Sequence, residues 1–179
     1  MPVVPQSPPD TDLLARREAL VREHMESENH HDFDTTIATF AHPRYEIIPT
    51  GDVYDGESEV RGYFAETRMA FPDQRNELIA LYHAEEGVIV EFDLLGTHLG
   101  PLRSLPATGR SFRTRVCAFF IFEGERIVCE RVYFDQLSIL RQLGIARDPS
   151  SLGGRIAMLF GHPLTIGKAV LKDRLARSG

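Results

Sequence analysis

The hydrophobic pattern divides the chain into a helical first part and a strand-rich second part. Helical spacing of apolar residues marks LLARREALVREHMESE, DFDTTIATFA and ESEVRGYFAETRMAF, and the second and third of these segments end at Pro43 and Pro72. A short extended run, RYEIIP, lies between them. Four strands are then predicted, ELIALYHA, VIVEFDLLGTH, RTRVCAFFIF and RIVCERVYF, before a last helix, QLSILRQL. This order predicts an α+β fold in which the helices cover one face of a curved, mostly antiparallel sheet.

Alternation along each strand assigns its side chains to the two faces of the sheet. The mainly apolar set contains Val88, Val90, Phe92, Leu94, Thr114, Val116, Ala118, Phe120, Phe122, Val128, Glu130, Val132 and Phe134. We expect this set to face inward and, with the N-terminal helices, to enclose an apolar pocket. The opposite set contains Glu91, Asp93, Arg113, Arg115 and Arg131, with Phe119, Ile121 and Tyr133 among them. Exposed aromatic residues among paired charges predict a homodimer through this outer face.

Three regions of the 179-residue chain differ in composition. Residues 1–10 are rich in proline and are expected to form a disordered leader. Residues 11–145 carry the predicted helices and strands and are long enough for one domain. Residues 146–179 form a basic C-terminal extension, which contains six lysine and arginine residues and only two aspartates. We expect a helix there that opens at Pro163, and we favour its packing on the domain over binding to a membrane surface or closing the pocket.

The composition excludes several classes of function. A formal net charge of −6 argues against nucleic acid as the main partner. No apolar run approaches the roughly 20 residues of a membrane span, and no signal-peptide pattern is present, so the expected location is the cytoplasm. Cys117 and Cys129 lack CxxC spacing and are expected to be reduced thiols. Neither GxGxxG nor GxxxxGK(S/T) occurs, and no cofactor is expected.

Four segments carry a resemblance to a known family. HPRYEIIPTG, GESEVRGYFAETRMAFPD, GTHLGPLRSLPATGR and FEGERIVCERVYFDQLSILRQLG resemble the SnoaL-like polyketide cyclase branch of the nuclear transport factor 2-like superfamily. The resemblance implies a cone-shaped α+β barrel around a deep pocket. It also implies cofactor-free proton transfer, of the cyclase or isomerase type, on a small hydrophobic metabolite.

The catalytic residues that the resemblance implies are replaced in this chain. The acid/base aspartate on the last strand of the cyclases falls on Val132. Their histidine and glutamine on the preceding strand fall on Ala118 and Val116, and their first-strand asparagine falls on Ile47. In ketosteroid isomerases, which share the fold, the first-helix tyrosine corresponds to His24. An enzyme without the usual carboxylate therefore competes with a non-catalytic module that binds a hydrophobic ligand or serves dimerisation.

Two residues remain as candidates for catalysis. His24 lies near the apolar stripe of the first helix, where an imidazole can act as a base or a hydrogen-bond donor; a core histidine bonded to Glu28 is the alternative. Glu130 belongs to the inward set, where burial makes a carboxyl group hold its proton more tightly. Its alternatives are a place at the rim or an arginine partner. If the chain is catalytic, we expect His24 and Glu130 to form the acid/base pair.

A further set of residues is expected to contact the substrate. It consists of Tyr45, Ile47, His98, Val116, Ala118, Phe120 and Val132. Tyr45 could orient a ligand carbonyl or be a buried aromatic residue with a satisfied hydroxyl group. His98 opens the Gly-rich loop GTHLG, and capping of that loop is its alternative role.

Other polar residues are expected to have structural roles. Asp135 immediately precedes the last predicted helix and is expected to cap it. No metal site is expected, because the polar residues between the first helices lack a recognised ligand spacing. These residues are His30, His31, Asp32, Asp34 and His42. An epoxide hydrolase of the same fold ranks lowest, because no inward-facing Asp-Arg-Asp set is found.

Overall fold

Six strands and five helices make up the described part of the chain, residues 11–148, 150–161 and 168 of a computed structural model. The helices are α1 (Thr11–Asn29), α2 (Phe33–Ala38), α3 (Glu57–Ala70), α4 (Gln136–Gln142) and α5 (Leu152–Gly161). The strands are β1 (Arg44–Ile47), β2 (Asp52–Asp55), β3 (Arg75–Ala84), β4 (Gly87–Thr97), β5 (Ser111–Glu123) and β6 (Arg126–Phe134). The predicted α+β class is confirmed.

All six strands join one curved sheet in the order β2-β1-β6-β5-β4-β3. β1 and β6 are parallel, and the other neighbouring pairs are antiparallel. Because β2 and β3 do not pair with each other, the sheet is open. The expected fold class is therefore confirmed. The sheet is curved, but it does not close into a barrel.

Strand β2 is an element that the sequence analysis misses. The turn before it contains Gly51, whose φ of 74° lies in the left-handed region that glycine adopts readily. After this turn, Tyr54 pairs with Tyr45 across the hairpin. The strand covers only Asp52–Asp55, and two of its four residues are aspartates, which are depleted in strands. Its alternation is therefore too short to be recognised from sequence.

The core lies between the inner face of the sheet and helices α1 and α3. Val21 of α1 and Val60 and Phe64 of α3 are buried against the inner face of the sheet. On β5 the side chains alternate between buried and more exposed, and Val116 and Phe120 are among the buried ones. Each fully buried apolar side chain of this kind stabilises the fold by about 1.5–3 kcal/mol. The predicted inward face of this strand is thus confirmed.

The outer face of the sheet carries a network of ion pairs. The Asp93 carboxylate accepts hydrogen bonds from Arg113 Nη2 at 2.6 Å and from Arg115 Nε at 2.8 Å, as the strand pattern predicts. Arg131 instead binds Glu46 at 2.6 Å, because β6 lies between β5 and β1 and is not adjacent to β4. Among these charges, exposed Phe119 packs edge-on against Tyr133. The homodimer expected through this face stays a prediction.

The C-terminal extension contains a helix that is not predicted from the sequence. It is α5, Leu152–Gly161, whereas the helix predicted to open at Pro163 lies outside the described residues, as does the predicted leader, residues 1–10. None of the helices described here is long and apolar enough to cross a membrane. The expected cytoplasmic location is not tested by these observations and stays a prediction.

Helix α4 is held at its start by the cap predicted from the sequence. The Asp135 carboxylate accepts a hydrogen bond from the backbone amide of Ser138 at 3.0 Å. Leu143, which follows the last residue of the helix, is buried and packs with Phe71 and Phe112. The cap therefore fixes the direction from which α4 approaches the sheet.

We expect Asp135→Ala to lower the free energy of unfolding by about 1 kcal/mol, because it removes this cap. Urea unfolding followed by circular dichroism measures the change. Asp135→Asn is the matched control, since asparagine caps helices about as well as aspartate. An alanine variant as stable as the asparagine variant would contradict the role of the cap.

Candidate functional site

A cavity of about 440 Å³ opens between the inner face of the sheet and helices α3 and α4. Much of its wall is apolar, and it is lined by Ile47, Phe71, Phe92, Leu94, Leu102, Leu105, Phe112, Val116, Val132, Phe134, Ile139, Leu140, Leu143 and Ile145. Its volume falls in the range of sites for small organic ligands. The apolar pocket inferred from strand alternation therefore has a counterpart in the structure.

Five residues form a group that we call the polar cluster, at one wall of this cavity. They are His24, Glu28, Tyr45, Asn76 and Glu130, all of them buried. α1 supplies His24 and Glu28 one helical turn apart, and β3 supplies Asn76. Tyr45 and Glu130 are register partners of the parallel β1–β6 pair, so their side chains emerge side by side on the inner face. All except His24 line the cavity.

The hydrogen bonds around His24 define its charge. Its Nδ1 lies 2.8 Å from the Thr39 hydroxyl, which donates its proton to the Thr36 carbonyl at 2.6 Å. Its Nε2 lies 2.9 Å from the Tyr45 hydroxyl, which donates to Glu28 Oε1 at 3.0 Å. With both hydroxyl protons used in this way, each ring nitrogen faces an acceptor and must itself donate. This network fits a doubly protonated imidazolium.

The two carboxylates of the polar cluster differ in their hydrogen bonds. Glu28 accepts from Tyr45 through Oε1 and from the Asn76 amide through Oε2, the latter at 2.8 Å. Glu130 Oε2 lies 3.2 Å from His24 Nε2, close enough for an ion pair. At His24 Nε2 the geometry of a hydrogen bond is met by Tyr45 and not by Glu130. The buried Oε2 of Glu130 therefore has no hydrogen-bond donor in the described part of the chain. Glu130 is thus the less satisfied carboxylate.

Burial and neighbouring charges shift the proton affinities of this group. Burial is the main reason that the pKa of Glu130 is raised, and the charge of Glu28 adds to the effect. The neighbouring His24 lowers this pKa but does not outweigh burial. Burial works against a charge on His24, but Glu130 and Glu28 outweigh it and raise the pKa of the imidazole. Burial, followed by both carboxylates, raises the pKa of Tyr45 far above its usual value. The polar cluster therefore holds its protons tightly.

Three members of the polar cluster could in principle hold a metal ion. His24, Glu28 and Glu130 offer ligand atoms that all lie within 4.8 Å of one another. To bind a cation, however, His24 Nε2 would have to lose its proton and the Tyr45 hydroxyl would have to leave Nε2. The hydrogen bonds present favour protons over a metal in this position.

The structure brings most of the predicted site residues to the cavity. Glu130, Tyr45, Ile47, Val116 and Val132 line it. Tyr45 fits the second of its alternatives, a buried aromatic residue whose hydroxyl group is satisfied, and it also lines the cavity.

His24 is not a cavity residue, contrary to the expectation that it points into the pocket. It is completely buried behind Tyr45 and Glu130, with Phe40 and Phe120 packed edge-on against its ring. It does meet Glu130, as the predicted pair requires. Its hydrogen bonds nevertheless leave neither ring nitrogen free for a ligand.

The structure also places three predicted contact residues away from the cavity wall. Phe120 faces inward but packs against His24, and Ala118 is fully buried in the centre of the sheet. His98 is fully buried, and its Nδ1 accepts from the backbone amide of Thr108 at 3.3 Å, which fits the alternative role of fixing its loop. His98, Ala118 and Phe120 do not line the cavity, and their contact with a substrate stays a prediction.

Several functional candidates are missed by the sequence analysis. Tyr63 and Arg68 of α3 line the cavity, as do Glu28 and Asn76. Tyr63 lies three residues after Val60 and next to Phe64, both of which are buried. This apolar pattern along α3 is the signal that could have placed the helix on the cavity. Nothing local marks Asn76, because it reaches the site only through the pairing of β3.

The polar residues between the first helices have partners in the structure. Asp32 caps α2 through Thr35, Asp34 pairs with Arg61, and His42 pairs with Asp55. His31 contacts the Gln74 carbonyl, and His30 lies near Glu26. Among the residues described, these side chains are not gathered into a ligand set.

We expect the stability of the wild-type protein to fall as the pH rises above the ordinary glutamate and histidine pKa values of 4.5 and 6.5, and Glu130→Gln to flatten this dependence. Folding raises the pKa of Glu130 and of His24. Glu130 and His24 therefore contribute their full stabilisation at a pH below their pKa values in the unfolded chain. This stabilisation is lost as the pH rises through their higher pKa values in the folded protein. Urea unfolding at a series of pH values measures this slope.

Glu66→Gln is the control for this measurement, because Glu66 lines the cavity near Arg103, outside the polar cluster. Its slope should match that of the wild type. Equal slopes in all three proteins would show that Glu130 holds its proton no more tightly after folding.

Comparison with solved structures identifies proteins of the same fold at low sequence identity. A candidate SnoaL-like polyketide cyclase from a Jannaschia species has a TM-score of 0.69 and 15% identity, covering 80% of this chain and 99% of that one. IdmH, a candidate polyketide cyclase from Streptomyces antibioticus, has a TM-score of 0.62 and 22% identity, covering 72% and 98%. An NTF2-like protein from Burkholderia pseudomallei has a TM-score of 0.62 and 19% identity, covering 72% and 97%.

Comparison of sequences gives the family. No curated protein matches the chain. The profile of the SnoaL-like polyketide cyclases matches residues 18–143, which include every member of the polar cluster. Because this match covers well over half of the sequence, the chain belongs to the SnoaL-like polyketide cyclase family.

Proposed function

We propose that this protein is a cofactor-free acid–base enzyme that moves a proton on a small, largely apolar metabolite. Glu130 is the group that exchanges the proton with the substrate. His24, Tyr45 and Glu28 act through it by holding it in place and setting its proton affinity. Family membership supports a substrate with a polyketide-like carbon skeleton, and the apolar cavity wall suits such a molecule.

The observation that carries this proposal is a carboxylate on the cavity wall with an unsatisfied oxygen. Glu130 is 4% exposed, lines the cavity, and has no hydrogen-bond donor at Oε2 among the residues described. A buried acceptor without a hydrogen-bond donor costs about 1–3 kcal/mol, which the His24 imidazolium 3.2 Å away offsets in part. Such a cost is typical of a site in which a group is kept for its reactivity.

Glu130 also explains how the family's chemistry could survive the loss of its usual aspartate. That aspartate falls on Val132, and Glu130 lies two residues earlier on β6. Both side chains line the same cavity, because alternate residues of a strand share a face. The longer glutamate side chain reaches the cavity from a position about 6.6 Å further along the strand.

The chemistry that fits is the removal of a proton from a carbon next to a carbonyl group. Glu130 accepts the proton as the C–H bond breaks, and the electron pair of that bond forms an enolate. The protonated Glu130 then returns its proton to carbon in an isomerisation, or to the alkoxide that forms when the enolate carbon attacks a second carbonyl. Atoms and charge balance without an oxidant or a cofactor.

His24 and Tyr63 suit the negative charge of this step, which lies on the Glu130 carboxylate before proton transfer and on the enolate oxygen after it. The imidazolium 3.2 Å from Glu130 stabilises its carboxylate form between turnovers. Tyr63 lines the cavity, and its hydroxyl has no hydrogen-bond partner in the described part of the chain. It can therefore donate to an enolate oxygen.

We expect Glu130→Gln to slow proton exchange on a simple carbon acid by about 10²–10⁴-fold, the usual contribution of a general base. The probe is 1-tetralone in D₂O, with deuterium incorporation next to its carbonyl followed by NMR. The wild-type rate should fall on the acidic side of a pKa above the ordinary glutamate value, because that pKa is raised.

The control for this assay is Glu66→Gln, which alters a cavity carboxylate outside the polar cluster and should leave the exchange rate within about twofold. Retention of the wild-type rate by Glu130→Gln would refute the assignment of Glu130. A pH profile without an acidic limb would do the same.

The apolar wall favours a second function, storage or transport of a hydrophobic ligand. Ile47, Val116 and Val132 occupy positions that are polar in the cyclases, which suits binding without chemistry. Native mass spectrometry of gently purified protein should detect a retained small molecule in either case. Incubation with the wild type and with Glu130→Gln then separates the two functions, because only the enzyme converts its ligand and only through Glu130.

A further inference from the structure

The cavity wall contains a cation that takes no part in the polar cluster. Arg68 lies in the last turn of α3 and lines the cavity. Its guanidinium carbon lies 5.4 Å from the centre of the Phe33 ring, which fixes the plane of the group. Its Nε is buried and has no hydrogen-bond partner among the described residues. Its Nη1 has only a long contact of 3.4 Å with the neighbouring Thr67 hydroxyl.

The carboxylates of the cavity wall are bound to other groups. Arg103, the other arginine of the wall, binds Asp52 at 2.7 Å and lies 3.7 Å from Glu66. Glu28 is satisfied by Tyr45 and Asn76, and Glu130 lies against His24. Within the described chain, Arg68 therefore forms no ion pair, and its charge in the wall is uncompensated.

An uncompensated guanidinium beside an apolar cavity is unfavourable in the empty protein. A buried donor without an acceptor, such as Nε here, costs about 1–3 kcal/mol. A ligand that supplies an anionic acceptor removes this cost. The planar fork of donors on a guanidinium matches a carboxylate, with two parallel hydrogen bonds. A phosphate dianion would require more donors than this single cation and its polar neighbours Thr67 and Gln74 provide.

Arg68 and Glu130 line the same cavity. Both lie close enough to Tyr63 to influence its proton affinity. Burial is the main reason that the pKa of Tyr63 is raised; Glu28 and Glu130 add to the effect and Arg68 opposes it. One molecule that fills the cavity can therefore contact the cation and the base together.

From these contacts we propose that Arg68 binds a carboxylate group of the substrate, which makes the substrate an apolar carboxylic acid. The proposal rests on the function proposed for the same cavity and adds the chemical class of its ligand. The carboxylate binds in the plane of the guanidinium, at its N–H edge, and the apolar body of the molecule extends along the wall towards Glu130. A neutral analogue of the same shape leaves the charge of Arg68 uncompensated.

The test compares two probes of the same shape, 2-naphthoate and 2-naphthamide, by isothermal titration calorimetry at neutral pH. The wild type should bind the acid at least about tenfold more tightly than the amide. Arg68→Met should weaken binding of the acid by about 10- to 100-fold and change binding of the amide by less than about threefold. Its Tm should equal or exceed that of the wild type, because the substitution removes an unsatisfied buried donor.

Arg103→Met is the matched control, because this arginine of the same wall already has carboxylate partners. It should keep the preference for the acid. A wild type without that preference, an Arg68→Met variant that retains it, or an Arg103→Met variant that loses it would overturn the proposal.

The outcome is separable from the test of the enzymatic function. Arg68-dependent selection of the acid would stand even if Glu130→Gln exchanged protons at the wild-type rate. Equal binding of both probes would refute the carboxylate site and leave proton transfer by Glu130 intact.

Discussion

The ion pair between His24 and Glu130 is the interaction on which the rest of the site depends. Two buried carboxylates and a buried imidazole can be stable together only if protons and hydrogen bonds offset the loss of water. Thr39, Tyr45 and Asn76 supply those hydrogen bonds, and they come from the end of α2, from β1 and from β3. The packing of these elements around α1 is therefore a condition for the charge state of the site.

The cavity combines this rigid polar wall with a long apolar surface and a separate pair of arginines. Each part performs a different task in the proposed reaction: the apolar surface excludes water, the polar cluster exchanges a proton, and Arg68 selects the charge of the ligand. Since Glu130 belongs to the sheet and Arg68 to α3, substitutions in one part can change the ligand without changing the base. This separation is one physical reason why a single fold supports many substrates.

Much of the fold, and part of the site, could be predicted from the sequence. Strand alternation placed Glu130 inside, because the side-chain period of a strand is fixed by its backbone. Strand alternation also predicts that Phe120 faces inward, but it does not predict that the Phe120 ring packs against His24. The direction of His24 and the unpaired state of Arg68 were beyond prediction, since both depend on which side chains from distant elements reach them first. Asn76 and Tyr63 were missed for the same reason.

The position of β6 has a consequence for how the protein folds. This last strand lies between β1 and β5, and its contact between Arg131 and Glu46 spans 85 residues of chain. Such long-range pairing slows folding, because the entropy of closing a large loop is lost before the contact forms. During synthesis, β1 must wait for β6 before it gains its parallel neighbour, so the site cannot exist in any shorter nascent chain. The last strand to be made thus brings both the base and the contacts that complete its surroundings.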